Sequence, residues 1–237
     1  MNSCESAYSS VLKRIAAASV AAGHARPARL VAVGKTKPAE ALAALAALGQ
    51  KAFGENYVQE ALAKQAALAG LDLEWHAIGP LQSNKCREVA RHFDWLQTLD
   101  RAKLIERLAR ARPPGSPPLN VLIQVNIDDE MSKAGCTPDA IAALADQVRA
   151  QPALRLRGLM AIPAPLPDMD RRRAAFARMR ELFDTLASHD AGIDTLSMGM
   201  SDDFELAIAE GATMVRIGTA LFGARSPDAE SAVRDSR

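Results

Sequence analysis

Short apolar, β-rich runs alternate with Ala-, Leu- and Glu-rich segments along most of this chain, and that beat limits its fold more than any other feature. The runs begin near Leu30 (LVAVG), Ala52 (AFGEN), Glu74 (EWHAIG), Asp94 (DWLQTL), Leu119 (LNVLIQVNI), Leu154 (LRLRGLMAI), Asp194 (DTLSMGM) and Met214 (MVRIG). Segments of helical character such as AEALAALAAL and RRAAFARMRELFDTLA fall between them. Eight such runs at intervals of roughly 20 to 40 residues match a closed (β/α)8 barrel best. An open, doubly wound sheet is the competing architecture. It usually has fewer strands and a G-x-G-x-x-G turn after the first, and no such turn follows LVAVG. The expected fold is α/β: one TIM barrel over about residues 30–225, preceded by an amphipathic helix over 3–22. Val11, Ile15 and Val20 are among that helix's apolar positions, and Gly23 and Pro27 close it. The Pro-rich stretches RPPGSPP (112–118) and IPAPLP (162–167) read as loops, because the composition does not change across them. The polar tail 226–237 is expected to fray, leaving a single domain.

The 237 residues, 49% of them hydrophobic, suffice for one complete barrel. Net charge is +1 with Lys and Arg dispersed, which argues against nucleic acid or a membrane surface as the main partner. Cys4, Cys86 and Cys136 are far apart, odd in number and without CxxC spacing, so neither a disulfide framework nor a zinc site is expected. His24, His76, His92 and His189 are equally scattered, and no metal is expected. Glu5, Lys13 and Arg14 interrupt any leader-like apolar run, and no stretch is long enough to cross a bilayer. The expectation is a soluble, cytoplasmic protein and, by default, a monomer.

In a barrel, function gathers at the C-terminal ends of the strands, and phosphate is often held after strands 7 and 8. The seventh run leads into SMGMSDDFELAIAEG, where Ser201 reads as an N-cap, Asp202 and Asp203 as first-turn residues, and Gly211 as the helix stop. The plain interpretation is a well-capped helix; the sharper one adds a phosphate held by Ser201 and nearby amides. The eighth run ends RIGTALFG, where Gly218 allows close approach of an anion and Thr219 adds an N–H and a hydroxyl. Either turn alone is ordinary; together, at the two expected positions, they favour phosphate.

Lys35 ends the first run, with Val31 and Val33 on one face by period-two alternation. A lysine there is either a surface residue or a desolvated amine suited to a Schiff base. Lys37 competes, but Pro38 follows it and places it out on the loop. Arg216 shares a face with Gly218 two residues on; it either pairs with a carboxylate on a neighbouring strand or donates to an aromatic ring nitrogen. His76 reads as a satisfied core histidine.

The strings AVGKTKP, FGENYVQE, EWHAIGPLQSNK, VLIQVNI, RGLMAIPAP, LSMGMSDDFELAI and VRIGTALFGAR, spread over about residues 30–225, together resemble the pyridoxal phosphate homeostasis protein family (the YggS type). The resemblance implies a barrel like the N-terminal domain of alanine racemase. It also implies pyridoxal 5′-phosphate (PLP) as cofactor and a non-enzymatic role in its storage or delivery, with apo-PLP enzymes as transient recipients. By position it makes Lys35 the Schiff-base residue and sets Asn56 beside the cofactor. Ser201, Gly218 and Thr219 would hold the phosphate, and Arg216 would face the ring nitrogen. Lys133 matches a lysine associated with cofactor exchange, and Gly34 departs from the serine expected in many relatives, which should loosen the backbone before Lys35.

Two other function classes stand beside the carrier. A PLP-dependent racemase or aldolase of weak activity would use the same lysine, but a racemase of this type needs a second domain with a catalytic tyrosine. The chain is expected to lack that domain, and it has only Tyr8 and Tyr57. An Arg216 partner would also make the ring a weaker electron sink. A sugar-phosphate Schiff-base enzyme ranks last, because its lysine belongs on a late strand with an acid–base neighbour.

Overall fold

The computed structural model describes residues 3–128, 134–164 and 167–223. Strands β1 (Arg29–Val33), β2 (Ala52–Glu55), β3 (Glu74–Ala77), β4 (Trp95–Leu99), β5 (Leu119–Gln124), β6 (Leu154–Met160), β7 (Thr195–Ser197) and β8 (Met214–Ile217) form a closed parallel barrel in sequence order. Closure is made by β8 against β1, with Val31 opposite Arg216. Helices α1 (Ser3–Ala21), α2 (Ala39–Ala47), α3 (Val58–Ala67), α4 (Cys86–His92) and α5 (Ala102–Ala111) are followed by α6 (Ile141–Arg149), α7 (Met169–Ala187), α8 (Phe204–Ala209) and α9 (Thr219–Phe222). This is the (β/α)8 architecture the alternation predicts.

Both faces of each strand are buried, so the strands read as apolar runs. Leu30 and Ala32 of β1, with Val215 and Ile217 of β8, pack outward in the shell between barrel and helices. The intervening positions point inward, where Val31, Ala52, Trp95, Leu122, Met160 and Met214 form a compact apolar plug. The barrel is therefore a filled core, not a pore.

Helix α1 lies where expected, but its buried stripe differs in one position. Tyr8, Val11 and Ile15 are buried, whereas Val20 is 77% exposed. Position 20 is five residues beyond Ile15, off the i, i+3/i+4 stripe. Ser19 takes the buried place, and its hydroxyl accepts a hydrogen bond from the Ala28 amide at 3.0 Å. The helix packs against α2, α8 and α9. Arg14 crosses to Glu205 on α8 at 2.6 Å and covers the Phe204 ring. Residues 112–118 and 162–164 are loops, as composition suggests, and no helix among the described residues is long and apolar enough to cross a membrane.

Candidate functional site

A cavity of about 250 Å3 opens at the C-terminal ends of the strands, lined by Lys35, Asn56, Ser201, Arg216, Gly218 and Thr219. All six residues singled out in the sequence meet there. Val33, Ile78, Ile162 and Met200 add apolar wall, and Lys37 and Asp202 also reach the lining. Lys37 is thus closer to the site than its place before Pro38 suggests; its Nζ donates to the Phe222 carbonyl at 3.1 Å.

β1 stops at Val33, two residues earlier than the sequence suggests, and Lys35 sits in a tight turn. The turn is closed by the Lys37 amide donating to the Gly34 carbonyl (2.9 Å), while the Gly34 amide donates to Gly54 on β2 (3.0 Å). Thr36 has φ 64°, the one positive φ of a non-glycine among the described residues. Gly34 is engaged through both its amide and its carbonyl, contrary to the expected loosening. Its smallness answers to space, because a Cβ there would lie 2.4 Å from Glu55 Oε1 and 3.0 Å from Leu42.

Ser201 does not cap the helix after β7. That helix, α8, starts at Phe204 with Asp203 at its N-cap, and Asp203 Oδ1 accepts from the Met200 amide at 2.7 Å. The cause is Gly199, at φ +90°, where an added Cβ would strike Ala207 (2.6 Å) and Phe204 (3.0 Å). The chain turns there and packs α8 directly against it, leaving 201–203 as a turn over the cavity. Ser201 Oγ accepts instead from the Ala220 amide at 3.3 Å, tying this turn to the start of α9. Thr219 opens α9, so its amide has no acceptor within the helix. Gly218 brings β8 close to β1: a Cβ would lie 3.3 Å from the Val33 carbonyl.

Arg216 is buried at the back of the cavity and donates to Ser197 Oγ (2.6 Å) and the Ala161 carbonyl (2.9 Å). Burial lowers its pKa to about 10, with Asp203 opposing, so it remains a cation at neutral pH. The alternative of a carboxylate partner on a neighbouring strand is not what holds it. The Ser197 hydroxyl donates to Gln97 Oε1 (2.7 Å), and Gln97 Nε2 donates to His76 Nδ1 (2.9 Å). His76 Nε2 then donates to Glu74 (2.5 Å), which also receives Arg29 (2.7 Å). The chain of donors thus runs from Arg216 through Ser197, Gln97 and His76 to Glu74. Burial depresses the pKa of His76, which stacks on Trp95 at 5.2 Å, a satisfied core histidine as expected. Burial alone would raise Glu74, but His76 and Arg29 outweigh it and leave its pKa at about 2.

The family model for the alanine racemase N-terminal domain matches residues 13–226. The pyridoxal phosphate homeostasis protein of Pseudomonas aeruginosa is 58% identical over 217 residues, covering 91% of this chain and 93% of that one. The chain belongs to the pyridoxal phosphate homeostasis protein family. Its counterpart in Escherichia coli K12 is 51% identical over 229 residues, covering 95% and 98% of the two chains. Among solved structures, PipY of Synechococcus elongatus PCC7942, with PLP bound, is similar at TM-score 0.76 and 39% identity, over 88% of this chain and 100% of that one.

Within this member of the pyridoxal phosphate homeostasis protein family, the cavity has room for a small ligand and polar groups suited to an anion. It sets an amine on one wall, a fixed guanidinium behind, and two short polar turns where an anion would sit. Two supporting groups escaped the sequence reading. Ser197 and Gln97 gave no signal, because their role depends on which strands become neighbours. Glu60 and Lys64 did leave one: they stand i, i+4 on α3, close after Glu55. Lys64 Nζ donates to Glu55 Oε1 (2.8 Å), Glu60 Oε1 (2.6 Å) and the Gly34 carbonyl (2.8 Å). Glu60 Oε1 also accepts from the Thr36 amide at 2.7 Å. Lys133 and the tail from residue 226 lie outside the described residues.

Proposed function

We propose that this chain holds PLP at the barrel mouth, anchored covalently through Lys35 Nζ, and serves storage and delivery of the cofactor rather than a reaction of its own. The observation that carries this is the convergence of Lys35, Arg216 and the Ser201 and Gly218–Thr219 turns on one cavity. When bound, the cofactor supplies an aldehyde that an amine can engage and a ring able to withdraw electrons. Ser201, Gly218 and Thr219 would hold its phosphate, Asn56 would lie beside the ring, and Arg216 would donate to the ring nitrogen. Arg216 stays protonated, its plane is fixed by Ser197 and Ala161, and it has no acceptor, so it could only donate to a ring nitrogen that carries no proton. That lowers the electron-withdrawing power on which racemisation and related chemistry depend.

A weak PLP-dependent racemase or aldolase is the second reading, favoured by the shared family model. Against it stands the placement of both tyrosines: Tyr8 is buried against Gln50 and Tyr57 opens α3, half exposed to solvent. Neither lines the cavity. The rest of the proposal is a single domain working as a monomer in the cytoplasm, with apo-PLP enzymes as transient recipients. Separated, reduced cysteines and a near-neutral net charge fit that setting.

The test is transfer. PLP-loaded protein is mixed with an apo-PLP enzyme, and activity of the recipient is followed beside racemisation of free amino acids by the loaded protein alone. Recipient reactivation without amino-acid turnover is expected. Multiple turnovers of an amino acid by the protein alone would favour the enzyme reading.

A further inference from the structure

Lys35 is flanked by two peptide groups, and both are held from outside the cavity by one buried ion cluster. The Gly34 carbonyl, before it, accepts from Lys64 Nζ at 2.8 Å. The Thr36 amide, after it, donates to Glu60 Oε1 at 2.7 Å. Lys64 and Glu60 are themselves paired at 2.6 Å, and Lys64 spends its third proton on Glu55 Oε1 at 2.8 Å. The Lys64 and Glu55 side chains are 7% and 0% exposed, so the Lys64 bonds to Glu55 and Gly34 form away from bulk water, while Glu60, 29% exposed, closes the cluster at its outer edge.

We propose that Glu60 and Lys64, backed by Glu55, are positioning residues that hold the Lys35 turn in the shape needed for covalent capture of an aldehyde. This rests on Lys35 being the anchor. Two further observations support it. Thr36 is β-branched yet sits at φ 64°, a strained conformation that persists only where the surroundings enforce it. The cluster also fits a turn without a side chain at position 34, since a Cβ there would meet Glu55 Oε1 at 2.4 Å. Glu60 and Lys64 line a separate outer groove with Thr36, Lys37 and Pro38, and they are not part of the cavity lining. They act through the backbone of Lys35, not on a ligand.

Capture requires the neutral amine to add to the aldehyde carbon; water then leaves as the C=N bond forms, with no change of oxidation state. Placement of Nζ sets the rate of that step. Phosphate retention belongs to the turns after β7 and β8, across the cavity. The two events are therefore separable.

The test compares the intact wild-type chain with Glu60→Ala and Glu60→Gln, using two ligands. PLP reports covalent capture through a visible absorbance that borohydride removes. Pyridoxine 5′-phosphate has an alcohol in place of the aldehyde and reports non-covalent binding alone. In Glu60→Ala, capture should slow by about tenfold or more, as expected when a reacting group is misplaced, while the Kd for pyridoxine 5′-phosphate stays within about twofold. Glu60→Gln keeps an acceptor for the Thr36 amide and should recover most of the rate. Capture at the wild-type rate in Glu60→Ala overturns the proposal. So does equal loss with both ligands, which marks a merely structural role. Lys35→Ala serves as the control: if it still forms a reducible adduct at the wild-type level, the anchor itself is wrong, whatever Glu60 does.

Discussion

Glu55 and Glu60 share one ammonium, that of Lys64, so the buried cluster carries an excess carboxylate. Burial, opposed by Lys64 and reinforced by Glu60, raises Glu55 to about 7 from an ordinary 4.5. The folded state thus binds a proton more tightly than the unfolded chain. Its stabilising effect is complete below about 4.5 and fades as pH rises through about 7. His76, held neutral by burial, acts oppositely below its ordinary 6.5, losing stability as pH falls. Glu74, lowered to about 2 from an ordinary 4.5, likewise loses stability as pH falls below about 4.5, and both effects are shared by wild type and a Glu55 variant. The difference between wild type and Glu55→Gln therefore isolates the carboxylate. Urea unfolding at pH 5 and pH 8 should show the wild type losing a few kcal/mol relative to the variant as pH rises, at about 1.4 kcal/mol per pKa unit. An unchanging difference would mean that Glu55 keeps an ordinary pKa. Gln97 is a second residue-scale test. Replacing it by Leu strands the Ser197 hydroxyl and His76 Nδ1 in the interior, and unfolding should show a loss of about 2–5 kcal/mol.

The β7–α8 connection shows how an element places a side chain. Gly199 works there for two reasons at once, a positive φ of 90° and an absent Cβ that lets α8 pack directly on it. Gly199→Ala should push α8 outward and disturb the Ser201 turn. We expect a loss of about 1–3 kcal/mol in urea unfolding, as for overpacking, together with weaker binding of pyridoxine 5′-phosphate. This connection is also where the sequence misleads. Ser201 followed by two aspartates has the local signature of a helix start, yet the helix begins at Phe204, because packing against Gly199 outweighs capping preference. The early end of β1 has a similar origin: alternation shows which residues share a face, not where pairing with the neighbouring strand stops. Val20 failed for a simpler reason, since being apolar says nothing about which side of a helix the core lies on.

The barrel as a whole was legible because eight parallel strands buried on both faces leave eight apolar runs, and the helical crossovers leave the segments between them. The upper rim was legible as well, since strand order alone brings Lys35, Asn56, Ser201 and Gly218 to one end. Contacts between distant strands were not. The interior chain from Arg216 to Glu74 joins β8, β7, β4 and β3, and no local pattern announces it. Outside the barrel, α1 closes over α8 and α9, the two helices that follow β7 and β8. Ile15→Ala should cost about 2–5 kcal/mol in denaturant unfolding, the usual range for a buried Ile cut to Ala; a cost under about 0.5 kcal/mol would mean that α1 packs only loosely. The account depends most on Lys35. The most direct measurement is borohydride reduction of the PLP-loaded protein followed by peptide mapping by mass spectrometry. A single reduced pyridoxyl group on Lys35 is predicted. Modification confined to Lys37, or spread over surface lysines in proportion to exposure, would contradict it.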